Sequence, residues 1–299
     1  MTSTTKQYPG ATPAQWLEGA RPHTWANAVA PVLAGTAAAT LVGAANPLRA
    51  VLAGVVALAM IVGVNYANDY SDGIKGTDDD RSGPLRLTGS GLVEPKKVKY
   101  AAFASFGVGA VAGIALSVLS AWWLILVGAA CIAGAWFYTG GKNPYGYRGL
   151  GEVAVFVFFG LVAVLGTEFT QTGSVSWRGA LLAISVGSLS SAVNLANNLR
   201  DIPTDAATGK ITLAVRLGDA NTRRLWVGLV SLAAIVTIGI SIGHWWGLLA
   251  LLATPLFFIA ARPVTGGAQG KDLIPVLGLL GRGMLLWSLL QFIAALLAT

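Results

Sequence analysis

Long apolar stretches, separated by short polar segments, follow one another along most of the chain. At about 1.5 Å of rise per residue, each stretch is long enough to cross a hydrocarbon core about 30 Å thick. None of them alternates with a period of two, and backbone groups in lipid must be satisfied internally, so helices are predicted and barrel strands are not. We therefore expect an all-α, polytopic membrane protein, a bundle of nine transmembrane helices. The predicted spans are residues 24–42, 50–68, 99–119, 122–139, 150–167, 178–199, 222–241, 245–261 and 273–298.

Composition agrees with this prediction. Hydrophobic residues make up 55% of the chain and charged residues only 11%, with a mean hydropathy of +0.66. In an ordinary soluble domain about 25% of residues are charged. The single cysteine, Cys131, leaves no material for a disulfide framework or a thiol metal cluster. We expect one integral membrane domain over residues 1–299.

The segment before the first span, residues 1–23, has no basic region followed by a short apolar core, so we do not expect a cleaved signal peptide. Thr12 as N-cap and Pro13 at the first helical position begin a short stretch that carries Trp16 and Leu17. This pattern fits a helix that lies at the membrane interface. A frayed tail is the alternative.

Positive charges are distributed unevenly between the two sides that nine spans define. The N-terminal segment and the loops after the second, fourth, sixth and eighth spans hold most lysines and arginines, whereas the opposite loops receive Arg49 and Arg178. By the positive-inside rule the N-terminal segment and these loops are cytoplasmic, including the acidic loops at about 69–98 and 200–221. Alternatively, the charges only orient the protein or attract anionic lipid.

A short internal repeat joins the ends of two predicted helices. "VNYANDYSD" (64–72) aligns without gaps on "VNLANNLRD" (193–201), with five of nine positions identical. The copies end the second and sixth spans, and an even number of helices separates them, so the repeat is parallel and not inverted. We therefore expect the two copies to face each other across one cavity at the cytoplasmic surface.

Within each copy the polar residues are spaced for one helical face. Asn68 and Asp72 are four residues apart, as are Asn197 and Asp201, and Asp205 lies four residues further on. Carboxylates concentrated in this way repel each other and are costly near lipid, so a cation is expected between them. Hard oxygen ligands from two helices suit Mg²⁺, which binds through one or two carboxylates plus substrate phosphates. The same loops hold basic residues for phosphate oxygens: Lys75, Arg81, Arg86, Lys142, Arg148, Lys210 and Arg216.

Two further charged residues each keep more than one interpretation open. Glu152 begins the fifth span after "GLG", where a carboxylate also favours a helix N-terminus, so a structural and a functional role are equally compatible with its position. Arg282 lies well inside the last span, where an arginine is a functional candidate, a snorkelling residue or a partner of another helix.

These motifs resemble the UbiA superfamily of intramembrane prenyltransferases over nearly the whole chain. That family pairs N-D-x-x-D-x-x-x-D after helix 2 with D-x-x-x-D after helix 6 in a nine-helix bundle. The ninth position of the first motif, normally Asp, is Gly76 here, so Asp78 or Asp79 is the expected replacement. The remaining matches are Asn68, Asp69 and Asp72 in the first motif, Asp201 and Asp205 in the second, Tyr138 and Lys142 in "YTGGK", and Arg21 in "RPHTW".

Three longer segments, "NDYSDGIKGTDDDR", "GGKNPYGYRGLGE" and "DIPTDAATGKITLAVRLG", are similar to the branch that prenylates 1,4-dihydroxy-2-naphthoate in menaquinone biosynthesis. The resemblance implies Mg²⁺-dependent transfer of a polyprenyl group from an allylic diphosphate, with loss of CO₂ and diphosphate, to give demethylmenaquinone. It implies a multi-pass protein of a bacterial plasma (inner) membrane, with its active site toward the cytoplasm. The partners are then polyprenyl diphosphate, 1,4-dihydroxy-2-naphthoate and membrane lipid, and no nucleic acid is expected.

On this basis each site residue has a predicted role. The metal ligands are Asp69, Asp72, Asp78, Asp201 and Asp205, with Asn68 and Asn197 supporting them. Lys142 and Lys210 are the first choices for diphosphate oxygens, followed by Arg86 and Arg216. Tyr138 either steadies the allylic cation or the departing oxygen, or is an interface anchor. Arg21 either binds the acceptor carboxylate or only marks the cytoplasmic side. The predicted catalytic set is Asp72, Asp201, Tyr138 and Lys142.

Three other functions compete with this interpretation. One is a prenyltransferase of the same family with another aromatic acceptor. The second is a CDP-alcohol phosphotransferase: "DYSDG" (69–73) fits the start of its D-x-x-D-G-x-x-A-R motif, but Gly76 and Thr77 stand where Ala and Arg belong. The third is a lipid transporter, for which polar residues near the midplane are expected. Apart from Arg282, the spans are nearly without charge.

Overall fold

The chain folds into helices of very different length. A computed structural model describes residues 8–76 and 85–299, and in this part of the chain the regular structure is helical without strands, which confirms the predicted all-α class. Short 3₁₀ turns lie at Pro22–Thr24 and Tyr145–Arg148. The longer elements are α1 (Pro13–Gly19), α2 (Ala26–Leu41), α3 (Pro47–Lys75), α4 (Pro95–Leu119), α5 (Leu124–Phe137), α6 (Gly151–Thr172), α7 (Trp177–Arg200), α8 (Ile202–Ala207), α9 (Leu213–Ile240), α10 (Trp245–Thr265) and α11 (Gly270–Ala298).

Seven of the helices in the described residues are long and apolar enough to cross a membrane: α3, α4, α6, α7, α9, α10 and α11. The predicted spans 24–42 and 122–139 correspond to α2 and α5, which have only 16 and 14 residues. A perpendicular span needs about 20 residues. The helix α2 stops early because Gly43 takes a left-handed φ of 69° and Pro47 then begins the next helix. The prediction of nine full-length spans is therefore confirmed for seven.

The helix α7 lies at the centre of the bundle, packed against α2, α6, α9 and α11. Small residues allow this close packing. A Cβ at Gly160 would lie 2.6 Å from the Cα of Gly187, and a Cβ at Gly35 would lie 2.5 Å from the carbonyl oxygen of Val164. Residues Phe156–Leu165 within α6 form π-helical turns, which widen the helix along this contact. The buried α7 can therefore carry polar residues into the interior.

The N-terminal segment is docked on α3. Thr12 and Gln15 form the capping box of α1, and the Tyr66 hydroxyl of α3 donates to the Trp16 carbonyl oxygen at 2.8 Å. Asn65 Nδ2 donates to the Ala20 carbonyl oxygen at 3.0 Å. The helix predicted at Thr12–Pro13 is thus present, and its described residues do not form a frayed tail.

Two hydrophobic clusters divide the bundle. The larger cluster surrounds α7 and includes residues of α2, α9, α10 and α11, whereas the smaller one joins α3, α4 and the N-terminal segment. The C-terminal ends of α3 and α7, which carry the two repeat copies, meet at the same end of the bundle between these clusters. A cavity opens where the clusters separate.

Candidate active site

Two adjoining cavities lie between α3 and α7. The larger has a volume of about 700 Å³ and is lined mainly by apolar side chains of α2 to α7 and α11. The smaller has a volume of about 90 Å³ and is lined mainly by polar side chains. Because they share wall residues, an extended molecule with a polar head and an apolar tail fits across both. The shared residues are Arg21, Asn68, Arg86, Tyr138, Asn194 and Asn197.

Asp72 is the acidic residue of the first repeat that faces the small cavity. The Tyr147 hydroxyl donates to Asp72 Oδ1 at 2.6 Å. The Tyr147 ring lies between two ammonium groups, 4.9 Å from Lys75 Nζ and 5.5 Å from Lys210 Nζ. Tyr147 is not among the predicted site residues, since no spacing rule links it to Asp72. Tyr147 is a functional candidate because it contacts one carboxylate and two ammonium groups.

The repeat's asparagines both face the cavities with their amide oxygens already hydrogen-bonded. Thr139 Oγ1 donates to Asn68 Oδ1 at 2.8 Å, and an Arg200 guanidinium nitrogen donates to Asn197 Oδ1 at 2.9 Å. Asn68 and Asn197 are therefore placed as predicted, at the meeting point of the two copies. Their oxygens are oriented by these neighbours.

Asp69 does not line either cavity. Its Oδ2 accepts from the Leu87 backbone N–H at 2.7 Å and its Oδ1 accepts from the Thr88 N–H at 2.9 Å, in a fully buried position. In this structure Asp69 anchors the backbone at Leu87 and Thr88, away from the cavity that Asp72 faces. The physical reason is that Asp69 lies about 100° around the helix from Asn68, on the face that holds the adjoining loop.

The acids of the second repeat lie behind cations. The Arg200 guanidinium donates two hydrogen bonds to Asp201, from Nε to Oδ1 at 2.6 Å and from a terminal nitrogen to Oδ2 at 2.7 Å. Both side chains are buried. Asp205 Oδ1 lies 3.2 Å from Lys210 Nζ. In this structure Arg200 lines the large cavity and Lys210 the small one, while neither carboxylate does. The helical hydrogen bonding extends to Asp201, whose N–H donates to the Asn197 carbonyl oxygen at 3.3 Å, but its carboxylate is paired with Arg200 and does not line a cavity.

The predicted basic residues fall into two groups. Arg21, Arg86 and Lys210 line the small cavity, and Arg21 adopts a left-handed φ of 53°, a strained conformation of the kind found at functional sites. Lys142 and Arg216 are exposed and line neither cavity, so the structure does not place them where phosphate binding was predicted. The intramembrane candidate Arg282 is also exposed, on the outer side of α11.

Tyr138 lies where the two cavities meet. Glycines give it room: a Cβ at Gly151 would lie 3.0 Å from its hydroxyl, and a Cβ at Gly146 would lie 3.1 Å from its ring. Its ring makes an edge contact with Tyr145 at 5.5 Å between centroids. Burial raises the pKa of Tyr145 to about 12, so its phenol stays neutral. This glycine-lined position supports a functional role for Tyr138 beyond that of an interface anchor.

His23 also lines the large cavity. Partial burial, and then the nearby charges of Arg21 and Arg200, lower the pKa of His23 below its ordinary value of 6.5. The imidazole is therefore neutral at neutral pH. The positive charge at this part of the cavity wall therefore comes from Arg21 and Arg200.

The donor set was tested for its fit to a divalent cation. In residues 8–76 and 85–299 no group of three or more His, Cys, Asp or Glu side chains is close enough to hold a metal ion. The predicted Asp78 and its alternative Asp79 lie outside the described residues. Asp72 with the amide oxygens around it nevertheless supplies hard oxygen donors, and Mg²⁺ needs only one or two carboxylates when substrate phosphates complete its shell. The residues present fit Mg²⁺ on that condition.

The fold and the site together define an intramembrane enzyme for amphiphilic substrates, and comparison with known proteins gives its family. The UbiA prenyltransferase family model matches residues 28–272. The chain belongs to the UbiA prenyltransferase family, and it is a prenyltransferase.

Several curated relatives align over most of their length. The chain is 58% identical over 276 residues to 1,4-dihydroxy-2-naphthoate octaprenyltransferase of Mycobacterium tuberculosis, covering 92% of this chain and 94% of that one. It is 38% identical over 285 residues to the Escherichia coli protein of the same name, covering 92% of each. UbiA prenyltransferase domain-containing protein 1 of Gallus gallus is 30% identical over 254 residues, covering 83% of this chain and 76% of that one.

Solved structures share the fold at low identity. A UbiA homolog from Archaeoglobus fulgidus bound to GPP and Mg²⁺ superposes with a TM-score of 0.68 at 12% identity, over 93% of this chain and 99% of that one. The apo UbiA homolog from Aeropyrum pernix K1 superposes with a TM-score of 0.65 at 16% identity, over 87% of this chain and 94% of that one. These similarities confirm the helical bundle.

Proposed function

We propose that the protein transfers a polyprenyl group from an allylic diphosphate to 1,4-dihydroxy-2-naphthoate, in an Mg²⁺-dependent reaction that releases diphosphate and CO₂ and gives demethylmenaquinol, the reduced form of demethylmenaquinone. The observation that carries the proposal is the 58% identity, over 92% of the chain, to the Mycobacterium tuberculosis octaprenyltransferase of that substrate. The paired cavities support it, since a small polar cavity suits a diphosphate and the adjoining apolar one suits the start of a prenyl chain and an aromatic ring.

The small cavity is the proposed diphosphate site. Lys210 and Arg86 bind phosphate oxygens there, and Lys75 adds positive charge from behind Tyr147. Asp72, with Asn68 and Asn197, holds Mg²⁺ together with the diphosphate. The bound ion neutralises negative charge on the leaving diphosphate. Fixed cations around a departing anion lower the barrier to ionisation most effectively where water is scarce.

The acceptor lies at the junction of the cavities in this proposal. Arg21 binds its carboxylate, and the Tyr138 ring faces the allylic carbon, where an aromatic face stabilises developing positive charge. Holding the two reactants in one orientation supplies a large part of the rate enhancement. The apolar walls exclude water, which would otherwise capture the cation.

The bond changes balance without an added oxidant or reductant. The allylic C–O bond breaks and its electron pair leaves with the diphosphate. The ring carbon that bears the carboxylate forms a C–C bond to the allylic carbon. The bond to the carboxyl group then breaks, CO₂ leaves, and its electron pair restores the aromatic ring. One prenyl transfer is therefore matched by one CO₂.

The site is proposed to face the cytoplasm of a bacterial cell. The chain is an integral membrane protein by the length and composition of its helices. Lysines and arginines concentrate in the loops at the same end of the bundle as the cavities, which the positive-inside rule assigns to the cytoplasmic side.

Labelled acceptor tests the proposed reaction. Purified protein is incubated with Mg²⁺, octaprenyl diphosphate and 1,4-dihydroxy-2-naphthoate labelled in the carboxyl carbon, with and without a chelator. We expect prenylated product without label, and one labelled CO₂ for each product molecule, only when Mg²⁺ is present. Label retained in the product refutes the proposed acceptor chemistry. Transfer to 4-hydroxybenzoate in a parallel assay, with none to the naphthoate, shows a different acceptor class.

A further inference from the structure

Glu152 lies behind the polar wall of the small cavity, in the first turn of α6. Its side chain is buried, and its backbone carbonyl accepts from Ser191 Oγ at 2.9 Å. Its Oε1 accepts from Asn194 Nδ2 at 3.2 Å and from Asn198 Nδ2 at 2.7 Å. Both asparagines belong to α7 and line the small cavity. One carboxylate oxygen therefore holds two residues of the cavity wall.

This contact selects one orientation of each amide. An asparagine carries its donating Nδ2 and its accepting Oδ1 on opposite sides of Cγ, so only one of them can face Glu152. Because Glu152 Oε1 is an acceptor, the Nδ2 of each asparagine faces α6 and the Oδ1 of each asparagine faces away from α6. The amides are thus fixed before any ligand binds.

We propose that Glu152 is a positioning residue that fixes the amides of Asn194 and Asn198 with their carbonyl oxygens toward the small cavity, where they face the Mg²⁺–diphosphate end of the substrate. The inference rests on the proposed function, since it takes that cavity to be the diphosphate site. Amide carbonyl oxygens are ligands for hard cations and for the waters around them. Amide N–H groups turned into the cavity would repel the same cation.

Glu168 provides a matched control. It is also buried, also belongs to α6 and also accepts through Oε1, from the Ser176 backbone N–H at 2.9 Å. Glu168 lies near the C-terminal end of α6, whereas the wall that the two cavities share lies near its N-terminal end. Replacing either glutamate removes one buried carboxylate from the same helix, but only Glu152 contacts the cavity asparagines.

Binding of Mn²⁺ in the presence of inorganic diphosphate tests the proposal without turnover. Free Mn²⁺ is measured by EPR with the detergent-purified full-length wild type and with Glu152→Met, Glu152→Gln and Glu168→Met. We expect Glu152→Met to weaken Mn²⁺ binding about 10-fold or more, since residues behind a ligand shell typically change metal affinity 10–100-fold. Glu152→Gln keeps a carbonyl acceptor and should stay within about twofold of wild type. Glu168→Met should bind as wild type does.

Several outcomes overturn the proposal. Wild-type affinity in Glu152→Met shows that the acceptor is not needed. A loss in Glu152→Gln as large as that in Glu152→Met shows that the charge of the carboxylate matters and the amide orientation does not. An equal loss in Glu168→Met shows a general effect of removing a buried carboxylate. Where Glu152→Met does not fold, Asn198→Leu removes one of the two carbonyl oxygens directly, and undiminished Mn²⁺ binding there overturns the proposal as well.

The prenyl-transfer assay of the wild type tests the proposed function separately from the positioning role of Glu152. If the wild type does not transfer a prenyl group to 1,4-dihydroxy-2-naphthoate, the acceptor assignment fails whatever the variants bind. If it does so and Glu152→Met still binds Mn²⁺ normally, only the positioning role of Glu152 fails.

Discussion

The two repeat copies share five of nine residues but differ in how they present their acids. In the first copy Asp72 faces the small cavity and is hydrogen-bonded by a neutral phenol, Tyr147. In the second copy the guanidinium of the neighbouring residue Arg200 donates two hydrogen bonds to Asp201, which lies behind the cavity wall. The same spacing therefore places one carboxylate at the small cavity and the other against the buried Arg200 guanidinium.

The largest effect is expected for the second copy, on stability. Asp201→Asn leaves the buried Arg200 guanidinium without its counter-charge, and breaking a buried pair in this way costs about 3–5 kcal/mol. Thermal unfolding in detergent should show a clearly lower midpoint. An unchanged midpoint together with lost activity would instead assign Asp201 to the metal, as the sequence predicted.

The first copy should lose activity without losing stability. Asp72→Asn keeps the acceptor for Tyr147 but removes the charge that is proposed to hold Mg²⁺, and the loss of one directed electrostatic contact typically costs about 10²–10³ in kcat. Prenyl transfer at saturating substrate and the unfolding midpoint are measured on the same sample. Full activity in Asp72→Asn contradicts the assignment of this carboxylate to the metal.

Tyr147 should have a smaller effect through Asp72. Tyr147→Phe keeps the ring between Lys75 and Lys210 but removes the hydrogen bond to Asp72 Oδ1. A hydrogen bond to a charged group is worth about 1.5–3 kcal/mol, so kcat/KM should fall roughly 10- to 100-fold. If Asp72→Asn is already present, adding Tyr147→Phe should change little more. Additive losses would show that the hydroxyl acts on the substrate directly.

Lys142 gives the smallest expected effect. Because its side chain is exposed and lines neither cavity, Lys142→Ala should leave the KM for prenyl diphosphate within about twofold, whereas Lys210→Ala should raise it about 10-fold or more. Steady-state kinetics on the two variants compare an exposed lysine with a cavity lysine. Equal losses would show that the loop with Lys142 reaches the diphosphate when substrate binds, as the family motif implies.

The sequence was sufficient for the helical class and for the meeting of the two repeat copies, because apolar length and i, i+4 spacing are local properties. The helical spacing put Asn68 and Asp72 on one face of α3, and only the family motif added Asp69 to them. The spacing could not indicate that the Asp201 carboxylate pairs with its neighbour Arg200. The contact between Tyr147 and Asp72 joins residues 75 positions apart, and no periodicity encodes it.

The volume of the apolar cavity bears on how product length is decided. A cavity of about 700 Å³ has the size that usually encloses a drug-sized molecule. Under the proposed function the same cavity also holds the acceptor ring, so part of a chain as long as the one named for the relatives would extend beyond its walls into the surrounding lipid. The cavity would then bind the first isoprene units of the donor and leave the far end of the chain without contacts. Under the proposed function, the enzyme that supplies the donor would then set the length of the product.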